Sequence, residues 1–267
     1  MNFTVKWGKS NTPLKTPQIG GLISRLDTMV FALGIAQLLL TLSTMSDSSC
    51  CKNCQPASIG KKVIMALSGL VLAGFVLGHM SGNLLVFKGP AAINEYAEWL
   101  HAHSGILWVA RSVLIVSVIA HIWSGVLLTI ENRIARAGGP VIEATRRASL
   151  SSRTMPYSGV VILAFIVFHL LHYTFRTIAL GGQDFGSNVY GMIVAGFSEP
   201  TVALFYIVSM ILLCLHLSHG ISSVFQTLGL RNERWRGRLD VLATIYGWVI
   251  ALGFISIPLA VLLGRLK

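Results

Sequence analysis

The chain has 267 residues, of which 54% are hydrophobic and only 12% charged. A soluble domain carries about twice that charged fraction, and five stretches reach the roughly 20 apolar residues that a bilayer span needs, so a water-soluble globular enzyme is excluded. The net charge of +11 would suggest a nucleic-acid partner in a soluble protein. Here it belongs to basic loops that orient the spans, and no nucleic acid is expected.

Residues 1–60 form an N-terminal extension, polar and mildly basic at first, with Lys6, Lys9, Lys15 and Arg25. Val30 to Met45 is apolar but short for a span, and no small-residue cleavage site follows it. It is expected to be an interfacial segment, or to precede a true start at Met45. Cys50, Cys51 and Cys54 stand together as CCxxC. Zinc would want a fourth ligand nearby, so reduced thiols facing the cytoplasm are expected. Cys214 lies alone in a span and reads as a small packing residue.

The spans are expected at 63–87, 106–130, 156–175, 200–226 and 241–263, within a membrane domain of residues 61–267. Pro156 and Pro200 are expected to open the third and fourth, where a missing N–H is harmless, and Pro258 to kink the fifth. Gly74, Gly78 and Gly82 repeat every four residues in the first span. Such a stripe serves close helix packing, or clearance for a flat macrocycle.

Basic residues set the orientation. Lys61 and Lys62 precede the first span, Arg133, Arg136, Arg146, Arg147 and Arg153 follow the second, and Arg231, Arg234, Arg236 and Arg238 follow the fourth. The positive-inside rule puts these, and loops 131–155 and 227–240, in the cytoplasm. The opposite loops, 88–105 and 176–199, hold only Lys88 and Arg176 as basic residues.

Each of the first four spans carries histidine in its interior: His79, His121, His169 with His172, and His216 with His219. An ionisable ring inside a bilayer is a functional-site hypothesis by default. At about 1.5 Å per residue, His79 and His169 lie roughly 10–14 Å from the outer boundary, whereas His121 and His216 lie about 15 Å from the cytoplasmic one. Two layers result, each supplied by two helices. Haem iron with two axial imidazoles wants this arrangement, while zinc would gather three or four ligands at one point. The plainer alternative is four histidines that hydrogen-bond between helices. His172 and His219 each follow a candidate by three residues and share its face, so spacing alone cannot choose between them. His101 and His103 lie in an outer loop.

The segments LGHMSGN (77–83), IAHIWSG (119–125), FHLLHYTFR (168–176) and LHLSHGISSVFQTLG (215–229) resemble the cytochrome b membrane subunit of succinate:quinone oxidoreductases, in its single-subunit, five-helix, di-haem form. The resemblance covers about residues 61–265. It implies an all-α integral membrane protein with five transmembrane helices, the first four forming a haem-binding bundle. It further implies two haems b, with His79 and His169 as axial ligands of the outer one and His121 and His216 of the inner one. His172 and His219 then fall beside the ligands. Arg111 and Arg176 outside, and Arg153 and Arg231 inside, are candidates to meet haem propionates, since arginine suits carboxylates; helix-end anchoring explains each equally well. Glu98 and His101 are candidates for proton exchange with a quinone.

The implied partners are a FAD-containing flavoprotein that interconverts succinate and fumarate, an iron–sulfur protein on the cytoplasmic face, and a quinone, by analogy menaquinone. The implied location is the bacterial cytoplasmic membrane. The sequence itself has no GxGxxG after a strand and no cluster-type cysteine spacing, so flavin and iron–sulfur centres belong to other chains. Two features depart from the family pattern: the N-terminal extension, and the lack of a carboxylate buried within the spans. Cys214 stands where some relatives carry such a carboxylate. A cytochrome b anchor for a hydrogenase or formate dehydrogenase is the alternative that keeps the haems, and a membrane protein without haem is the one that does not.

Overall fold

The structure, a computed structural model, describes residues 57–136, 150–178 and 184–267. The expectations for Val30–Met45, for Cys50, Cys51 and Cys54, and for Arg146 and Arg147 lie outside those residues. Every regular element among the described residues is helical: α1 (Ala57–Asn83), a 3-10 turn (Leu84–Lys88), α2 (Pro90–Ala102), α3 (Ser104–Arg136), α4 (Leu150–His169), a π-helical turn (Leu170–Thr174), α5 (Val189–Ser198), α6 (Pro200–Thr227) and α7 (Arg236–Leu262).

Among the described residues five helices are long and apolar enough to cross a membrane, namely α1 with its 3-10 extension, α3, α4 with the π turn, α6 and α7. Their outward faces are apolar, with Val109, Val116 and Leu252 at 65%, 67% and 58% exposure. In water such a surface would be an aggregation hazard; against lipid it satisfies the solvent. Backbone groups are satisfied within each helix, as a hydrocarbon environment demands.

Helix α1 packs against α3, α6 and α7, and α6 packs against α4 and α7. The contact of α6 with α7 depends on Gly247, where a Cβ would sit 2.7 Å from the Cys214 carbonyl and 2.5 Å from Ser218 Oγ. Cys214 is itself buried there as a free thiol. Small residues at a crossing let membrane helices approach where no hydrophobic force drives them together. Helix α7 also holds α1 directly, since Tyr246 Oη donates to the Ala73 carbonyl at 2.6 Å. Ala73, Met80, Leu217 and fully buried Ile250 fill the space between α1, α6 and α7.

The prolines agree with expectation, and the two outer segments do not. Pro156 stands at the opening of the apolar span Met155–Thr174, as expected, although α4 itself begins at Leu150 and carries Pro156 inside, because the polar turn before the proline continues the helix. Pro200 does open α6, and Pro258 lies inside α7. The outer segments 88–105 and 176–199, read as loops, hold α2 and α5. Gly89 turns the chain into α2 at φ 104°, a value that favours glycine, and Pro90 follows at the first helical position. Asn188 caps α5 by accepting from Gly191 N–H at 2.9 Å. Asn94 ties α2 to α5, its Oδ1 accepting from Tyr190 N–H at 3.0 Å. Ile93, Ile193, Phe197, Tyr206 and Ile257 bury a common core beneath these two helices.

The glycine stripe divides. At Gly82 a Cβ would meet the Tyr96 ring at 2.8 Å, whereas Gly74 and Gly78 have nothing within 4 Å. Close helix packing therefore explains Gly82 alone.

Candidate functional site

The four histidines meet in two pairs. The rings of His79 on α1 and His169 on α4 have centroids 5.8 Å apart at an interplanar angle of 83°. Those of His121 on α3 and His216 on α6 are 6.2 Å apart at 61°. Helix direction produces this pattern. Helices α1 and α4 run in one direction and carry their histidines late, while α3 and α6 run in the opposite direction and carry theirs at mid-span.

Hydroxyl groups hold the rings by one nitrogen. Ser68 Oγ on α1 lies 3.3 Å from His121 Nδ1, and Ser158 Oγ on α4 lies 3.2 Å from His216 Nδ1. At the outer layer Tyr206 Oη on α6 lies 3.3 Å from His169 Nδ1 and 3.2 Å from His172 Nδ1. A single hydroxyl has one proton, so a chain from His169 Nδ1–H through Tyr206 to His172 Nδ1 satisfies all three. His79 is held differently, with Asn83 Nδ2 at 3.3 Å from its Nε2. Phe75 and Phe254 flank the His79 ring, and Phe165 stacks on His169.

The π turn shapes the outer layer. One residue more per turn brings Tyr173 inward together with His172, and their ring centroids lie 4.1 Å apart. His172 is only 1% exposed, packed between Tyr206 and Gly196, where a Cβ would stand 3.0 Å from its ring and 2.6 Å from Tyr173 Oη. Tyr173 Oη is buried without a hydrogen-bond partner among the described residues. Buried polar atoms ordinarily have one.

The other candidates are scattered. His219 is half-buried on α6. Arg231 donates to Asp240 at 2.7 Å and to Gln226 at 3.2 Å, while its Nε is buried without a partner among the described residues. Arg176 adopts a left-handed backbone at φ 54° and donates to the Gly186 carbonyl at 3.0 Å. Arg111 lies over the Trp108 ring at 5.2 Å, a cation–π contact at a helix end. The Arg153 side chain lies outside the described residues. Glu98 and His101 are exposed on α2, and the structure does not bring them to either histidine pair. Lys61 pairs with Glu131 where α1 and α3 begin and end on the same side. The carboxylates of Glu131 and Asp240 thus sit at span ends, each paired with a cation.

Ser68, Ser158, Tyr206 and Tyr173 were not singled out in the sequence, because hydroxyl residues are common in membrane helices. Among the described residues no group of three or more His, Cys, Asp or Glu converges on one point. Each layer offers two imidazoles.

Residues 142–252 match the family model described as succinate dehydrogenase/fumarate reductase transmembrane subunit. Over that stretch the chain is similar to those membrane subunits. The match contains His169, His172, His216 and His219, and it ends within α7. Neither the comparison with curated proteins nor that with solved structures gives a match. The five apolar helices among the described residues support a multi-pass membrane protein, similar over residues 142–252 to those transmembrane subunits.

Proposed function

We propose that the chain is the cytochrome b membrane anchor of a succinate:quinone oxidoreductase in the bacterial cytoplasmic membrane, with one haem b in each histidine layer. The observation that carries this reading is the spacing of the two pairs. Two imidazoles on opposite sides of one metal ion, each bonded at about 2 Å, set their ring centroids roughly 6 Å apart. The separations of 5.8 and 6.2 Å agree with that requirement and fit the residues present. Engagement of Nδ1 at His121, His169 and His216 leaves Nε2 for a metal, the usual division of labour in a ligating histidine. At His79 the Asn83 amide must withdraw from Nε2 for the same atom to ligate.

The haems supply one-electron redox chemistry between the two membrane faces. The chain's own groups orient the rings, exclude water from both layers and compensate charge. Arg231 Nε, buried without a partner among the described residues, suits a propionate at the inner layer, and Arg176 and Arg111 are candidates outside. Tyr173 Oη and His172 offer hydrogen bonds at the outer layer to a quinone, by analogy menaquinone. Electrons arrive on the cytoplasmic side from an iron–sulfur protein served by a FAD-containing flavoprotein, or return that way. Glu98 and His101, exposed on α2, are left to proton exchange at the outer face.

The deciding experiment is haem quantitation by pyridine haemochrome on the purified complex, with His79, His121, His169 and His216 each replaced by Ala. Two haems b per chain, with loss on each substitution, are expected. A haem-free protein overturns the reading.

A further inference from the structure

Ser68 and Ser158 stand in equivalent places. Each is followed by glycine, and each lies eleven residues before a histidine of the outer layer, His79 or His169. At about 1.5 Å per residue that interval separates the layers by about 16 Å. Each Ser-Gly pair therefore lies at inner-layer depth on a helix whose own histidine serves the outer layer. There it cradles the inner histidine of the next span. The hydroxyls of Ser68 and Ser158 meet Nδ1 of His121 and His216, and the glycines face the ring edges. A Cβ on Gly69 would lie 3.2 Å from His121 Cε1, and one on Gly159 3.8 Å from His216 Cε1.

Hydrogen-bond direction follows from the proton count. Ser68 Oγ lies 2.7 Å from the Ile64 carbonyl and 3.2 Å from that of Met65, and Ser158 Oγ lies 3.1 Å from the Met155 carbonyl. A carbonyl only accepts, and a serine hydroxyl has one proton; the habit of helical serine to bond back to its own helix assigns that proton to the carbonyl. Toward the imidazole each serine is then an acceptor, and the imidazole must carry its proton on Nδ1. The same device occurs twice, on two helices, for two different histidines.

We propose that Ser68 and Ser158 are positioning residues for the inner haem: by accepting Nδ1–H from His121 and His216 they fix the tautomer and ring orientation that present Nε2 to the iron. This rests on the di-haem reading. A ring whose Nδ1–H has an acceptor is a more basic ligand and favours ferric iron, so its removal raises the midpoint potential.

The test is a redox titration and low-temperature EPR of the complex carrying Ser68→Ala, Ser158→Ala or both, with haem content measured first on the unaltered protein. Ser209→Ala serves as control, because Ser209 is buried and bonds backward to Phe205 without meeting a ring. Two haems are expected in every variant. The inner haem's potential should rise in each serine variant by an amount near one hydrogen bond, about a tenfold change in the ferric/ferrous equilibrium, or 59 mV for one electron. Its EPR signal should shift, and the outer haem and the control should not change. Two haems with unaltered potentials and spectra overturn the proposal and leave the di-haem reading intact. If an alanine variant loses its inner haem, Ser68→Thr and Ser158→Thr decide. Recovery of haem and potential with the hydroxyl supports the proposal, and continued loss overturns it. No haem in the unaltered protein overturns the underlying reading, and the proposal with it.

Discussion

Tyr206 reaches from α6 to His169 on α4, its hydroxyl 3.3 Å from Nδ1, and the same oxygen touches His172 Nδ1 at 3.2 Å. One phenol thus serves the candidate ligand and the buried histidine beside it. In Tyr206→Phe both contacts vanish while the ring packing stays. The outer haem is expected to remain bound and its midpoint potential to rise, because the ligand imidazole loses its acceptor. Stability should fall by about 1–3 kcal/mol, the cost of leaving a buried polar group unsatisfied. Redox titration and thermal unfolding in detergent check the two effects separately.

Glycine 69 and glycine 159 make a graded pair. Gly69→Ala introduces a Cβ 3.2 Å from the His121 ring, closer than ordinary contact, while Gly159→Ala places one at a comfortable 3.8 Å from His216. The first should displace the His121 ring and lower inner-haem occupancy. The second should leave it unchanged. Haem content per chain is the measurement.

Helix packing gives a third expectation. Gly247→Ala drives a Cβ into the Cys214 carbonyl and Ser218 Oγ, and a backbone atom cannot swing aside. A loss of about 1–3 kcal/mol is expected, typical of overpacking. Gly60→Ala, with nothing within 4 Å, should be neutral. Thermal unfolding in detergent compares them.

Orientation is directly measurable. Glu98 on α2 and Glu233 between α6 and α7 are both exposed and belong to opposite ends of the bundle. In a background without native cysteines, a membrane-impermeant maleimide should label the Glu98→Cys variant in intact cells. It should label Glu233→Cys only after lysis. The reverse pattern would invert the arrangement of Arg-rich loops on which the inner and outer layers are named.

The spans were legible because length and apolarity are nearly sufficient in a membrane. So were the two histidine layers, since a fixed rise per residue converts sequence position into depth. The groups around the rings were not. Ser68 and Ser158 look like any other serine in a span until the bundle sets α1 beside α3 and α4 beside α6. Tyr206 reads as an aromatic near a membrane boundary. The helices α2 and α5 are hidden for a different reason: in segments 88–105 and 176–199 the charge pattern is conspicuous and the helical period is short.

Helix α7 carries no histidine, yet it grips both α1, through Tyr246 and Ile250, and α6, through Gly247. The two helices that bring His79 and His216 are thereby braced from behind by a member that contributes no histidine to either pair. On the di-haem proposal, the newly inserted chain would acquire its scaffold in the bilayer before either haem is delivered to it. Damage to this brace should appear as a defect in maturation, with cofactor-poor chains accumulating, before it appears in electron flow.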